Sequence, residues 1–154
     1  MVNRTATVVV AGLCAALAGR PLAAQHLVEY GVHAVATFAT PDLVAGGGYA
    51  AVRPGERTRL ALTLAAGTSD GDVAFRGELL GHFLLSPRAT HGVGFYALGG
   101  AAVADVESTG DTQGYMVLGL GVESRPGTRS GWALEAGIGG GLRIAAGYRW
   151  RRLP

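Results

Sequence analysis

Two histidines in this chain stand where they could do proton or metal chemistry. Residues two or four apart in an extended strand point to the same face, so His33 shares a face with Glu29, and His82 with Glu78. A His–Glu pair can move a proton or help to hold a metal. The competing reading is that these carboxylates belong to ion pairs with arginine, because a charge taken out of water needs a partner. The second reading is favoured. Nucleophilic catalysis would need a hydroxyl beside a histidine. Ser86, Ser124 and Ser130 fall in turns at one end of the molecule, Ser69 and Ser108 in loops at the other, so no catalytic residue is assigned. The glycine runs Gly46-Gly47-Gly48 and Gly137-Ile138-Gly139-Gly140-Gly141 open no helix and are not nucleotide-binding loops. Asp70-Gly71-Asp72 and the stretch from Asp105 to Asp111 match no calcium-loop spacing. No metal site and no cofactor is expected.

The elements that position these groups begin after a leader. Met1–Arg4 is short and basic, 8–18 is apolar but too short to span a bilayer, and Pro21-Leu22-Ala23-Ala24 offers a small-residue cleavage site. Residues 1–24 are therefore read as a signal peptide and 25–154 as the mature domain. Cys14, the single cysteine, leaves with the leader, so the mature chain has no disulfide. The chain contains no lysine. Removing Arg4 and Arg20 leaves eleven arginines against eleven acids, which gives no reason to expect nucleic acid as a partner.

The mature chain alternates with period two between turn residues, and no segment shows helical spacing. Eight strands are expected at 28–39, 43–52, 58–67, 73–85, 92–104, 114–123, 131–138 and 142–151. Pro54, Pro87 and Pro126 each sit in a basic turn before a long strand, a weak repeat of hairpin units. In most strands one face is apolar, as with Leu142, Ile144, Ala146, Tyr148 and Trp150. The other mixes glycine and alanine with a few charges, as with Arg143, Ala145, Gly147, Arg149 and Arg151. A soluble strand would instead carry many exposed polar side chains. Small residues interrupted by a few long charged ones suit a narrow interior, so the expected fold is all-β, an eight-stranded antiparallel up-and-down transmembrane barrel. Strands 43–52 and 92–104 are apolar on both faces and give no orientation.

The charges sort by position. With a periplasmic N-terminus, the outer loops carry Asp42, Asp70, Asp72, Asp105, Glu107 and Asp111 and no arginine. The periplasmic rim carries Arg53, Arg57, Arg88, Arg125, Arg129, Arg151 and Arg152 with Glu56. Glu29, Glu78, Glu123 and Glu135 then meet Arg59, Arg76, Arg143 and Arg149 on the inward face as a luminal ion-pair network. Tyr30, Phe83, Trp132 and Trp150 near one rim and Phe38 and Phe75 near the other read as aromatic girdles.

The leader, the eight alternating strands and the closing Ala146-Gly147-Tyr148-Arg149-Trp150 resemble the small outer-membrane β-barrels of the OmpA/OmpX type. The resemblance implies the outer membrane of a Gram-negative-type envelope, lipid as the surrounding partner, and recognition by the barrel-assembly machinery through Gly147, Tyr148 and Trp150. Trp150 is followed by four more residues, a departure from that family's ending. The expected role is a closed, ion-paired barrel, structural or adhesive through its acidic outer loops, and not a general porin. Two other classes are weighed: a secreted soluble β-barrel with a small apolar ligand inside, and a lipid-modifying barrel enzyme.

Overall fold

The structure, a computed structural model, describes residues 27–87, 91–107 and 110–152. The expected signal peptide, Arg88 and Ser108 lie outside them. The chain forms β1 (Leu27–Phe38), β2 (Leu43–Arg53), β3 (Thr58–Ser69), β4 (Asp72–Leu84), β5 (Val93–Val106), β6 (Asp111–Ser124), β7 (Ser130–Ile138) and β8 (Leu142–Arg152). Each strand pairs antiparallel with its neighbour, and β8 returns to β1, with Tyr30 opposite Trp150 and Ala34 opposite Ala146. Closure removes the free edges that β1 and β8 would otherwise expose.

The turns follow local chemistry. Asp70 (φ 49) and Gly71 (φ 93) are both left-handed, the two-residue geometry whose twist matches a hairpin. The β5–β6 connection differs from expectation. Residues 105–113 read as a long acidic loop, yet Asp105 pairs with Thr112 and Val106 with Asp111. β5 thus runs to Val106 and β6 starts at Asp111, and the Gly110 amide donates to the Val106 carbonyl. The ladder wins because β4 supports β5 up to Val106 and lets the hairpin grow past the acidic residues. Connections at this distal end are therefore short. The longest, 85–92, lies at the terminal end, where β1 begins and β8 finishes.

Apolar side chains cover the outer wall. Leu64 is 64% exposed, Leu120 65% and Met116 77%. The interior is lined by small residues, among them Ala45, Ala65, Ala74, Ala104 and Ala145, with Leu80, Leu84, Leu98 and Val117 forming an apolar pad on β4, β5 and β6. The pairing also orients the two unread strands. β2 turns Leu43, Ala45, Tyr49 and Ala51 inward, and β5 turns Tyr96, Leu98, Ala102 and Ala104 inward.

Candidate functional site

The charged residues of the lumen arrive from every strand except β5, because each strand alternates and only its inward positions reach the axis. They form two layers.

In the distal layer Glu78 on β4 is the hub. It accepts from Arg76 Nε at 2.8 Å, from Arg143 Nε at 3.0 Å and from Arg143 Nη2 at 2.7 Å. Arg143 Nη2 also donates to Glu135 at 3.0 Å. Two guanidinium groups thus face two carboxylates. Arg76 Nη2 donates to the Gly139 carbonyl at 3.0 Å, which ties the β7–β8 turn over the mouth of the lumen. Gly140 (φ 80) lies against Tyr115, where an added Cβ would meet the ring at 2.9 Å.

In the terminal layer Glu29 and Glu123 hold four arginines. Arg53 Nε donates to Glu29 at 2.7 Å, and Arg59 Nη1 to Glu123 at 2.7 Å and to Glu29 at 3.4 Å. Arg149 Nη1 and Arg151 Nη2 reach the same Glu123 oxygen at 3.0 and 3.3 Å. Tyr96 joins the layers: its hydroxyl accepts from Arg149 Nη2 at 2.9 Å and donates to Glu135 at 2.8 Å. Its ring is fully buried over Gly121, where a methyl group would strike it, and Arg59 stacks on it at 4.9 Å. Arg149 also lies 5.2 Å over Tyr49. Cation–π contacts of this kind add to ion pairs where water is excluded.

All eight charged residues assigned to the network line the lumen, together with both histidines. His82 Nδ1 accepts from Arg59 Nε at 2.8 Å, and its other nitrogen is 4.0 Å from Glu135. Neither ring nitrogen of His33 has a hydrogen-bond partner. Neither histidine is hydrogen-bonded to the glutamate on its own strand. A water-sized cavity of about 10 Å³ lies between the layers, bordered by His33, Tyr49, Glu135 and Arg149. Among the described residues, no group of three His, Cys, Asp or Glu stands close enough to hold a metal ion.

Two assignments change. Arg53 and Arg151, placed at the rim, belong to the terminal layer, with only 13% and 1% of their side chains exposed. They sit at strand ends, but a guanidinium on a flexible stem can fold back into the lumen. The four-to-four balance therefore becomes six arginines to four glutamates. Tyr49 and Tyr96 were missed because their strands are apolar on both faces. Arg53, which shares the parity of Tyr49, was the available signal on β2.

The girdle residues Tyr30, Phe38, Phe75, Phe83, Trp132 and Trp150 all point outward, between 39% and 55% exposed. Phe95 and Tyr148 join them. Tyr30 stacks on Trp150 at 6.0 Å, and Tyr148 meets Trp150 edge-on at 5.2 Å.

This architecture recurs among solved structures. The N-terminal β-barrel domain of Pseudomonas aeruginosa OprF matches with a TM-score of 0.63 at 16% identity, over 83% of this chain and 100% of that one. The fold is shared. Neisserial surface protein A matches with a TM-score of 0.56 at 12% identity, over 82% of this chain and 97% of its own. The de novo designed TMB2.3 matches at 0.55 and 17%, over 84% and 95%. No family model matches the chain, and no curated protein does. At these identities the likeness establishes an eight-stranded closed barrel, and function must be argued from the side chains.

Proposed function

We propose that the protein is an integral outer-membrane β-barrel whose lumen is closed by ion pairs, with a structural role in the envelope and no general porin activity. The observation that carries this reading is the inverted distribution of side chains. Leucine, valine and aromatic residues cover the outside, while Glu29, Arg59, Arg143 and Tyr96 are fully or almost fully buried. Water would penalise that wall, whereas lipid favours it, and closed pairing satisfies the backbone without solvent. Strands of nine to fourteen residues are long enough to cross a bilayer at a tilt. Aromatics at both rims support the same placement.

The soluble carrier would require most leucines to line a pocket and the charges to face water. Here Leu80, Leu84 and Leu98 point inward, but Leu62, Leu64, Leu118, Leu120 and Leu134 point outward and the charges are buried. The enzyme reading needs a hydroxyl beside a histidine. Ser124 Oγ accepts from the Trp132 amide and Ser130 Oγ from the Tyr148 hydroxyl, so both are engaged away from His33 and His82. An adhesive role loses its longest contact surface with the shortening of the 105–113 loop, leaving a rim of Asp42, Asp70, Asp72, Asp105 and Glu107. Export by the leader 1–24 and recognition of Gly147, Tyr148 and Trp150 by the assembly machinery are parts of the proposal. The aromatic pair stands outward on β8, at the β1–β8 seam where closure must finish.

Fractionation tests this reading. The protein should stay with membranes through high salt and carbonate, dissolve only in detergent, and migrate differently on gels before and after boiling. Release into buffer as a folded monomer would favour the soluble carrier.

A further inference from the structure

The terminal layer of the lumen is not neutral. Arg53, Arg59, Arg149 and Arg151 share Glu29 and Glu123, two positive charges more than the carboxylates offset. The distal layer of the same barrel, Arg76 and Arg143 with Glu78 and Glu135, is matched one for one. The excess is therefore local. Buried arginine donors without a hydrogen bond are more numerous here too: Arg53 Nη2, Arg59 Nη2 and Arg151 Nε, against Arg143 Nη1 in the distal layer. Arg53 Nη2 stands 3.6 Å from Glu123, and Arg151 Nε 3.7 Å from Glu29. A desolvated guanidinium charge without a matching anion is strongly unfavourable, so the arrangement calls for an anion.

Position limits what that anion can be. Arg53 Nε and Arg151 Nε both approach the same Glu29 oxygen, which brings the two guanidinium groups together at this end. Arg151 Nη1 donates to the Arg125 and Thr128 carbonyls and Nη2 to Glu123, leaving Nε as its idle donor. Arg53 is the most exposed of the four, at 13% of its side chain, while Arg59 is completely covered. The opening is thus at Arg53, facing the terminal rim, where the exposed Arg57, Arg125 and Arg129 add positive potential. Glu56, in the same rim, is already engaged. Guanidinium forks suit tetrahedral oxyanions, because paired N–H groups match paired oxygens.

We infer that the terminal mouth of the lumen binds a phosphate group, with Arg53 and Arg151 as its donors and Arg59 supplying charge from behind. The inference rests on the barrel reading, and its test keeps the two apart. The ligand chemistry is a phosphate oxyanion, and two sources can supply it: free phosphate or the headgroup of an anionic phospholipid in the adjoining leaflet.

The full barrel, folded in phosphatidylcholine vesicles and verified by its heat-modifiable migration, is titrated with inorganic phosphate by calorimetry. A parallel sample in neutral detergent is supplied with phosphatidylglycerol and examined for retained lipid by native mass spectrometry. Saturable binding in either arm, weakened about tenfold or more by R53Q and unchanged by E107Q at the opposite rim, is the expected result, and the responding arm names the source. R151Q serves the same purpose if R53Q alters folding. A correctly folded barrel that binds neither ligand, or binds them equally well after R53Q and R151Q, overturns the inference and leaves the barrel reading standing. Failure to fold into vesicles counts against the barrel reading instead.

Discussion

At the distal end of the lumen two guanidinium groups meet two carboxylates, and at the terminal end four meet two. Both layers are buried and both are built from strand positions that alternate inward, yet they respond differently to the loss of a charge. The distal layer is matched, so removing either sign leaves an unpaired ion. The terminal layer carries surplus arginine, so losing one arginine relieves strain that losing a glutamate would increase. A buried ion pair is thus poor evidence of stability in itself, and its balance with its neighbours decides its worth.

The comparison breaks most visibly at Glu78. It accepts three hydrogen bonds from Arg76 and Arg143, and Glu78→Ala breaks the Arg76 ion pair and leaves Arg143 with Glu135. A loss of about 3–5 kcal/mol is expected, measurable as a lower urea midpoint for unfolding in vesicles. Next comes the outer wall. Leu64 lies midway along β3 and is 64% exposed, so Leu64→Arg should cost about 2–4 kcal/mol in lipid. In a soluble barrel the same change would be nearly neutral by the same measurement.

Tyr96 couples the layers, and Tyr96→Phe removes one donor and one acceptor at once. A loss of about 1–3 kcal/mol should follow. A double-mutant cycle with Glu135→Gln should then be markedly non-additive, because the two share a hydrogen bond. The smallest effect sharpens the contrast most. Arg53→Gln in phosphate-free buffer should change stability by less than about 1 kcal/mol, since it removes surplus charge at a partly open site. Arg143→Gln in the balanced layer should approach the Glu78→Ala loss.

Much of the fold was legible in the residues. Alternation places all eight strands within a few residues of their observed ends, and closure follows from the unpaired edges of the first and last. Six of the strands also revealed their inward face, because charge appears only there. β2 and β5 did not, and the reason is physical. Ala45 and Ala51 point in while Gly46, Gly48 and Ala50 point out, so neither hydropathy nor size separates the faces. Their orientation comes from register with charged neighbours, such as Ala51 opposite Glu29 and Ala102 opposite Glu78. The network's composition was read correctly at strand centres and wrongly at strand ends. Arg53 and Arg151 look like rim residues by position, but long side chains cross from rim to lumen. The 105–113 stretch shows the same weakness: three acids and polar Ser, Thr, Gly and Gln suggest a loop, while a supported hairpin extends into it.

The central claim is that lipid surrounds this barrel and that its ion layers fill it. Conductance in planar bilayers tests both halves together. The purified protein, inserted and confirmed folded by its gel migration, should show negligible or very small conductance. Glu78→Ala, if it remains folded, should raise the frequency of brief openings. Large, long-lived channels from the unmutated protein would contradict the account, because they require a lumen free of the Arg143–Glu78 and Arg59–Glu123 contacts.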